Sequence, residues 1–120
     1  MYDNDPANSC HDVKYTQCLQ KYLLDERVKI VKAFSEEAAP CFPENYFDWF
    51  YIDANHMQAY KDIQLWWPKI KSGGFLMGHD YCANEFITVQ VDVDRFISET
   101  GLPLLVTDDP VFKCWIIQKP

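Results

Sequence analysis

The sequence predicts an α/β fold in which a helix joins two parallel strands and an antiparallel hairpin follows near the C-terminus. Two short apolar runs, Phe47–Ile52 and Gly74–Gly78, each stop at acidic residues, and a segment with helical periodicity separates them. A strand, a helix and a strand of this length form a crossover between parallel strands, and such a sheet is expected to be buried on both faces. The runs Leu102–Thr107 and Val111–Gln118 flank a connection too short for a crossover, so we expect them to pair antiparallel.

The segment before the crossover is predicted to contain a helix, a strand and a second, short helix. Within His11–Leu24, apolar residues recur at the spacing of a surface helix. The β-branched residues of Arg27–Phe34 predict a strand. Ser35 is expected to cap a short helix that ends before Pro40, because a proline cannot continue it.

The crossover helix is predicted from apolar residues that share one helical face. These residues are Tyr60, Ile63, Trp67 and Ile70. Pro68 removes one backbone donor, so a kink or restart is expected near Trp67, and Gly73-Gly74 should end the element. Asn84–Thr100 fits both a helix and a strand, but its length and the stop at Gly101 favour a helix.

Composition and charge exclude several classes of protein. The chain has 120 residues, a hydrophobic fraction of 48% and a net charge of −7, so we expect one folded domain without affinity for nucleic acid. The polar, acidic first residues do not fit a signal peptide, and no apolar run is long enough to span a membrane. We therefore expect a cytoplasmic location and no membrane partner.

The chain contains five cysteines in a spacing without a CxxC pair, which is unlike a disulfide framework. We interpret them as reduced thiols in a cytoplasmic protein. A zinc site at Cys10, His11 and Cys18 is the alternative, although a second pair of ligands is missing from it.

Titratable side chains follow both strands of the crossover. Asp53 comes directly after the first strand, and His79 and Asp80 follow the second. Ligands of open α/β sheets bind beyond the carboxyl ends of the strands, so this edge is the predicted functional site. His56 is a candidate general base because an imidazole titrates near neutral pH, and a surface or capping histidine is the alternative. Asp53 has a similar alternative as a strand-end turn or capping residue.

The stretch FDWFYIDANHMQAYKDIQLWWPKIKSGGFLMGHDY resembles the second half of class I S-adenosylmethionine-dependent methyltransferases. It is most similar to the subgroup with the pattern Ile-Asp-Gly-x-His-x-Tyr, then Asp, Trp-x-Pro, Lys-x-Gly-Gly and Asp-Tyr. The matching positions are Ile52, Asp53, Ala54, His56, Tyr60, Asp62, Trp67, Pro68, Lys71, Gly73, Gly74, Asp80 and Tyr81. The resemblance implies a Rossmann-like sheet and methyl transfer to an oxygen or nitrogen of a small molecule.

The same resemblance implies cofactor-binding residues. Phe34 and Ser35 would lie on the adenine side of S-adenosylmethionine, and Asp53 and Ala54 would form the floor of its site. His56, with Asp53, would be catalytic.

A metal site is also implied, because some enzymes of this class hold a divalent metal with acidic residues at these two strand ends. Asp53 and Asp80 would then be oxygen ligands of Mg²⁺, and His79 occupies a position that is often acidic in those enzymes.

The chain departs from the family pattern in its glycines. All four, Gly73, Gly74, Gly78 and Gly101, lie in the second half, so residues 1–120 are expected to form a partial domain without the first strand, the glycine-rich loop and the second strand. We therefore expect Arg27–Phe34 to pair directly with the Phe47–Ile52 strand.

Exposed strand edges of such a partial domain could instead recruit a second copy or a complementing polypeptide. The alternative function is a non-catalytic truncated fragment, or an interaction module that lacks cofactor binding.

Overall fold

The computed structural model describes residues 17, 20–22, 24–82 and 87–120, and the chain divides into two compact units, residues 1–32 and 33–120. In the first unit, residues 17 and 20–22 are helical, and Arg27 forms an ion pair with Asp25 at 2.7 Å. Most of the predicted helix His11–Leu24 lies outside the described residues, as do Cys10, His11 and Cys18 of the alternative zinc site.

The predicted strand at Arg27–Phe34 is wrong. This segment contains no strand, and Val31 is 65% exposed. The predicted pairing with Phe47–Ile52 is wrong as well, because no described segment other than Ile70–Gly78 pairs with that strand. β-Branched residues favour a strand only where a partner strand and a half-buried surface receive them, and no such partner is present among the described residues.

The second unit contains a four-stranded mixed sheet, which confirms the predicted α/β fold. Its strands are β1 (Phe47–Ile52), β2 (Ile70–Gly78), β3 (Leu104–Val106) and β4 (Trp115–Gln118), in the spatial order β1-β2-β4-β3. β1 and β2 are parallel, whereas β4 pairs antiparallel with both β2 and β3. The crossover and the hairpin were therefore both predicted correctly, although β3 and β4 are shorter than expected.

Three α-helices are described in this unit, α1 (Ser35–Ala38), α2 (Ala59–Trp66) and α3 (Ile87–Thr100). The expected restart after α2 is a 3₁₀ turn at Trp67–Lys69 that contains Pro68. α3 confirms the helical interpretation of the ambiguous segment from Ile87 onward. As expected, this helix stops at Gly101, whose φ is +68° and whose N–H donates to the carbonyl of Ile97 at 2.8 Å.

Three boundary predictions need correction. Ser35 is the first residue of α1 rather than its cap, since the cap position belongs to Phe34. Ile70 begins β2 instead of continuing the helix, and Gly73-Gly74 lie inside that strand rather than ending the preceding element. Ile70 is completely buried in β2, so the helical periodicity detected a core residue but assigned it to the wrong element.

The hydrophobic core lies between one face of the sheet and the helices α2 and α3. Its fully buried side chains are Trp115, Ile63, Ile70, Leu76, Ile117 and Val93. Phe50 of β1 stacks on Trp66 of α2 with the ring centroids 4.2 Å apart. The other face of the sheet exposes Trp49 (61%), Tyr51 and Leu105, so the expectation of burial on both faces is not met by the described residues. None of the described helices is both long and apolar enough to cross a membrane.

Candidate functional site

The parallel register brings the ends of β1 and β2 side by side. Ile52 is the partner of Gly78, and the N–H of His79 extends the ladder by donating to the carbonyl of Ile52 at 3.2 Å. Asp53, His79 and Asp80 therefore lie at one edge of the sheet, as the sequence predicted.

Asp80 is a buried carboxylate on a strained backbone. The residue is only 5% exposed and has a φ of +60°, a left-handed conformation that Asp and Asn tolerate better than other residues with a side chain. Its carbonyl accepts from the N–H of Cys82 at 2.9 Å, and the N–H of Tyr81 donates to the carbonyl of Lys113 at 3.0 Å. These two hydrogen bonds hold the turn and thereby fix the direction of the Asp80 side chain.

Two imidazoles contact this carboxylate. Nε2 of His56 lies 2.6 Å from Oδ2 of Asp80, and Nδ1 of His79 lies 3.0 Å from Oδ1. Burial of a carboxylate is costly unless it is hydrogen-bonded, and His56 provides a hydrogen bond while His79 adds a close ion-pair contact.

His56 reaches Asp80 from a 3₁₀ turn, His56–Gln58, that precedes α2. The side chain of Asn55 caps this turn by accepting from the N–H of Met57 at 3.0 Å. The hydroxyl of Thr88, in α3, donates to the carbonyl of His56 at 3.1 Å. The capping interpretation of His56 therefore does not apply, because Asn55 is the cap.

Asp53 completes a cluster with His79 and Asp80, since one ligand atom from each of the three lies within 4.8 Å of the others. Beside this cluster is a small open pocket. The residues that line it are Ile52, Asp53, Ala54, Asn55, His56, Ala59, His79, Val89 and Trp115. The site thus combines two carboxylates and two imidazoles next to an apolar wall.

The sequence interpretation missed two aromatic residues of the site, and both come from the segment after α3. Phe112 stacks on His79 with the ring centroids 5.9 Å apart and an interplanar angle of 20°. Trp115 lines the pocket, and its buried indole N–H has no hydrogen-bond acceptor in the described part of the chain. In the sequence, the available indication was that Phe112 and Trp115 follow the Asp108-Asp109-Pro110 turn closely.

Comparison with known proteins identifies the family. A model of the methyltransferase domain matches residues 1–81, which is two thirds of the chain. The chain belongs to this methyltransferase-domain family. No curated protein matches the sequence.

Solved structures share the fold of this methyltransferase domain at low sequence identity. A protein from Corynebacterium glutamicum superposes with a TM-score of 0.69 at 12% identity, over 92% of this chain and 56% of the other. The SAH-bound methyltransferase PaMTH1 from Podospora anserina gives 0.68 at 16% identity, over 90% of this chain and 56% of the other. An O-methyltransferase family protein from Burkholderia thailandensis superposes with a TM-score of 0.66 at 15% identity, over 90% of this chain and 40% of the other. The chain thus spans about half the length of these structures.

The residues predicted for the adenine side of the methyltransferase domain do not line the pocket. Phe34 and Ser35 lie at the start of α1, where the ring of Phe34 is exposed and the hydroxyl of Ser35 donates to the buried carboxylate of Asp62. Asp53 and Ala54 do line the pocket, and their role as a cofactor floor stays a prediction.

Two tyrosines near the site have raised pKa values. Burial, with a hydrogen bond to Asp94 at 2.6 Å, raises the pKa of Tyr81 to about 12. Burial likewise raises the pKa of Tyr51, whose hydroxyl lies 3.2 Å from the Sγ of Cys114. Both phenols are therefore protonated at neutral pH, which leaves the imidazoles and carboxylates for acid–base chemistry.

Proposed function

We propose that this methyltransferase domain takes part in the transfer of a methyl group from S-adenosylmethionine to an oxygen or nitrogen of a small molecule. The observation that carries the proposal is the cluster of Asp53, His56, His79 and Asp80 at the carboxyl ends of two adjacent parallel strands. The family match and the fold shared with an SAH-bound methyltransferase support it.

The chain's own residues would position the acceptor and accept its proton. The bound cofactor supplies an electrophilic methyl group on a sulfonium. His56 would remove the proton from the attacking hydroxyl or amine, because an imidazole titrates near neutral pH and this one borders the pocket. The carboxylate of Asp80, 2.6 Å away, would stabilise the imidazolium that forms. Alignment of the acceptor beside the methyl group is the larger contribution expected of such a site.

The described residues fit the cofactor in part. Asp53 and Ala54 border the pocket. The exposed ring of Phe34 offers a stacking surface for an adenine. The hydroxyl of Ser35, in contrast, is hydrogen-bonded to Asp62. We therefore propose that Asp53 and Ala54 form the floor of the cofactor site and that Phe34 contacts the adenine.

A divalent metal fits the cluster of Asp53, His79 and Asp80, which offers two carboxylates and one imidazole within 4.8 Å. Mg²⁺ prefers ligands that are all oxygen, while an imidazole is suited to metals such as Mn²⁺ or Zn²⁺. The metal would orient the acceptor oxygen and favour its deprotonated form.

Isothermal titration with S-adenosylmethionine tests this proposal, in buffer with a chelator and then with Mg²⁺ or Mn²⁺. Saturable one-to-one binding is expected, with tighter binding in Mn²⁺ than in Mg²⁺ if the imidazole is a ligand. Asp53→Asn should weaken binding, whereas Asp108→Asn, which makes the same charge change at an exposed position, should not. Absence of binding by a folded, monodisperse wild-type chain would overturn the proposal.

A second candidate is an interaction module without cofactor binding, and the open edge of β1 favours it. No described residue pairs with β1 on the side away from β2, and Trp49 and Tyr51 of this strand expose apolar surface on the open face of the sheet. A second copy of the chain, or a complementing polypeptide, would add a strand at this edge. Sedimentation at several protein concentrations distinguishes the candidates, since only the module predicts a mass that rises with concentration while no cofactor binds.

A further inference from the structure

Asp80 contacts both imidazoles of the site with different oxygen atoms. Oδ2 lies 2.6 Å from Nε2 of His56, and Oδ1 lies 3.0 Å from Nδ1 of His79. A carboxylate can only accept hydrogen bonds, so the nitrogen of His56 that is hydrogen-bonded to it must carry a hydrogen. We propose that Asp80 is a positioning residue that holds His56 in its Nε2–H tautomer.

The carboxylate can impose this choice because it has little freedom to move. Its side chain is 7% exposed. The left-handed backbone of Asp80 is held by the hydrogen bond that its carbonyl accepts from Cys82 and by the hydrogen bond that the N–H of Tyr81 donates to Lys113. Strained backbone of this kind persists only where the surrounding structure determines it, and it concentrates at functional sites.

Both rings are restrained as well. The carbonyl of His56 accepts from Thr88, and the capped turn after Asn55 sets the direction of the side chain. The ring of His79 lies against Phe112, while its backbone N–H is bonded to Ile52. Rotation of the His56 ring away from Asp80 would break its hydrogen bond to this buried carboxylate, and rotation of the His79 ring would break its stacking on Phe112.

The tautomer determines which nitrogen of the His56 ring carries the lone pair. In the Nε2–H tautomer it is Nδ1. The consequence for catalysis rests on the proposed function, in which Nδ1 of His56 would accept the proton of the methyl acceptor.

Nitrogen NMR of the histidine rings tests the assignment directly, because two-bond ¹H–¹⁵N correlations distinguish the tautomers of a neutral imidazole. The full chain, labelled with ¹⁵N-histidine, would be measured with a chelator at a pH well above the usual imidazole pKa of about 6.5. The chain has three histidines, so the signals of His56 are identified by their loss in the variant His56→Gln. We expect His56 to be an Nε2–H ring. A His56 ring that is in the Nδ1–H tautomer, or that averages between the two tautomers in the wild-type chain, would overturn the proposal.

Asp80→Asn gives a second prediction, since asparagine also tolerates a φ of +60°. Its amide nitrogen donates, and its neutral oxygen is a weaker acceptor than a carboxylate, so His56 should exchange its tautomer or average between the two. Asp108→Asn should leave His56 unchanged. An unchanged tautomer of His56 in Asp80→Asn would contradict the role of Asp80, and the wild-type spectrum decides the question if this variant does not fold.

These spectra are independent of the proposed function. If the tautomer of His56 is as assigned but S-adenosylmethionine does not bind, the proposed function fails while the positioning role of Asp80 stands.

Discussion

Gly78 is the position where the smallest substitution should have the largest effect. It is the last residue of β2 and pairs with Ile52 on one side and Trp115 on the other. A Cβ at this position would lie 2.4 Å from Cζ2 of Trp115 and 2.6 Å from its Nε1. Non-bonded carbon atoms prefer separations of about 3.5–4.0 Å, so the added methyl would overlap the indole by about 1 Å.

Neither partner can yield at low cost. Trp115 is completely buried, and Gly78 is held between two paired strands, so the overlap cannot be relieved by a flexible side chain. Overpacking of a rigid core usually costs about 1–3 kcal/mol, and we expect about 3 kcal/mol for Gly78→Ala. For a domain of this size that loss corresponds to a decrease in Tm of roughly 10–20 °C.

Thermal and urea unfolding of the purified variants would measure this effect. Gly73→Ala is the control for backbone strain without overlap, because the φ of Gly73 is +80° but no atom lies within 4 Å of its added Cβ. Backbone strain alone should cost Gly73→Ala about 1 kcal/mol. Trp115→Phe should partly rescue Gly78→Ala, so that the double variant is more stable than the sum of the single losses predicts, by about 1 kcal/mol. Equal losses for Gly78→Ala and Gly73→Ala, without coupling to Trp115, would refute the reasoning.

Two further predictions concern pH. Burial raises the pKa of Asp62, so the stability it contributes is present at low pH and is lost as the pH rises through its folded pKa. Asp62→Asn, which retains an acceptor for Ser35, should therefore be more resistant to urea than the wild type at neutral pH, and equal resistance at both neutral and acidic pH would contradict this account. Burial and the hydrogen bond to Asp94 raise the pKa of Tyr81 to about 12, so its contribution to stability is complete below about pH 10 and is lost as the pH passes 12. Asp94→Asn should lower this pKa in an absorbance titration that uses Tyr81→Phe to identify the transition, and no shift would show that the hydrogen bond is unimportant.

The core of the fold was predictable because local pattern and tertiary burial agree there. Phe47–Ile52 is a strand with the predicted bounds, and α3 has the helical period that its length and Gly101 favoured. The edge formed by Asp53, His79 and Asp80 followed from the parallel crossover alone, since the carboxyl ends of adjacent parallel strands meet.

The failures occurred where local pattern lacks the information that decides the structure. Arg27–Phe34 has the composition of a strand, but a strand also needs a partner, and composition cannot provide one. Ile70 continues the helical period of α2 and yet begins β2, because a buried isoleucine satisfies either element.

The finer geometry of the site depends on long-range register. Contact between His56 and Asp80 spans 24 residues and requires both the 3₁₀ turn at His56 and the left-handed backbone of Asp80. Phe112 and Trp115 enter the site only because β4 pairs with β2 in the register that places Trp115 opposite Gly78. No pattern within either segment specifies that register.

The central claim is that the edge of the sheet formed by the ends of β1 and β2 is the ligand-binding site of this methyltransferase domain. Titration of the ¹⁵N-labelled chain with S-adenosylhomocysteine, the demethylated form of S-adenosylmethionine, tests it most directly. The account predicts saturable shifts of the amide signals of Asp53, Ala54, His56 and His79, with little change at the exposed edge residue Trp49. Unchanged spectra at millimolar ligand, or shifts confined to the open edge of β1, would contradict the claim.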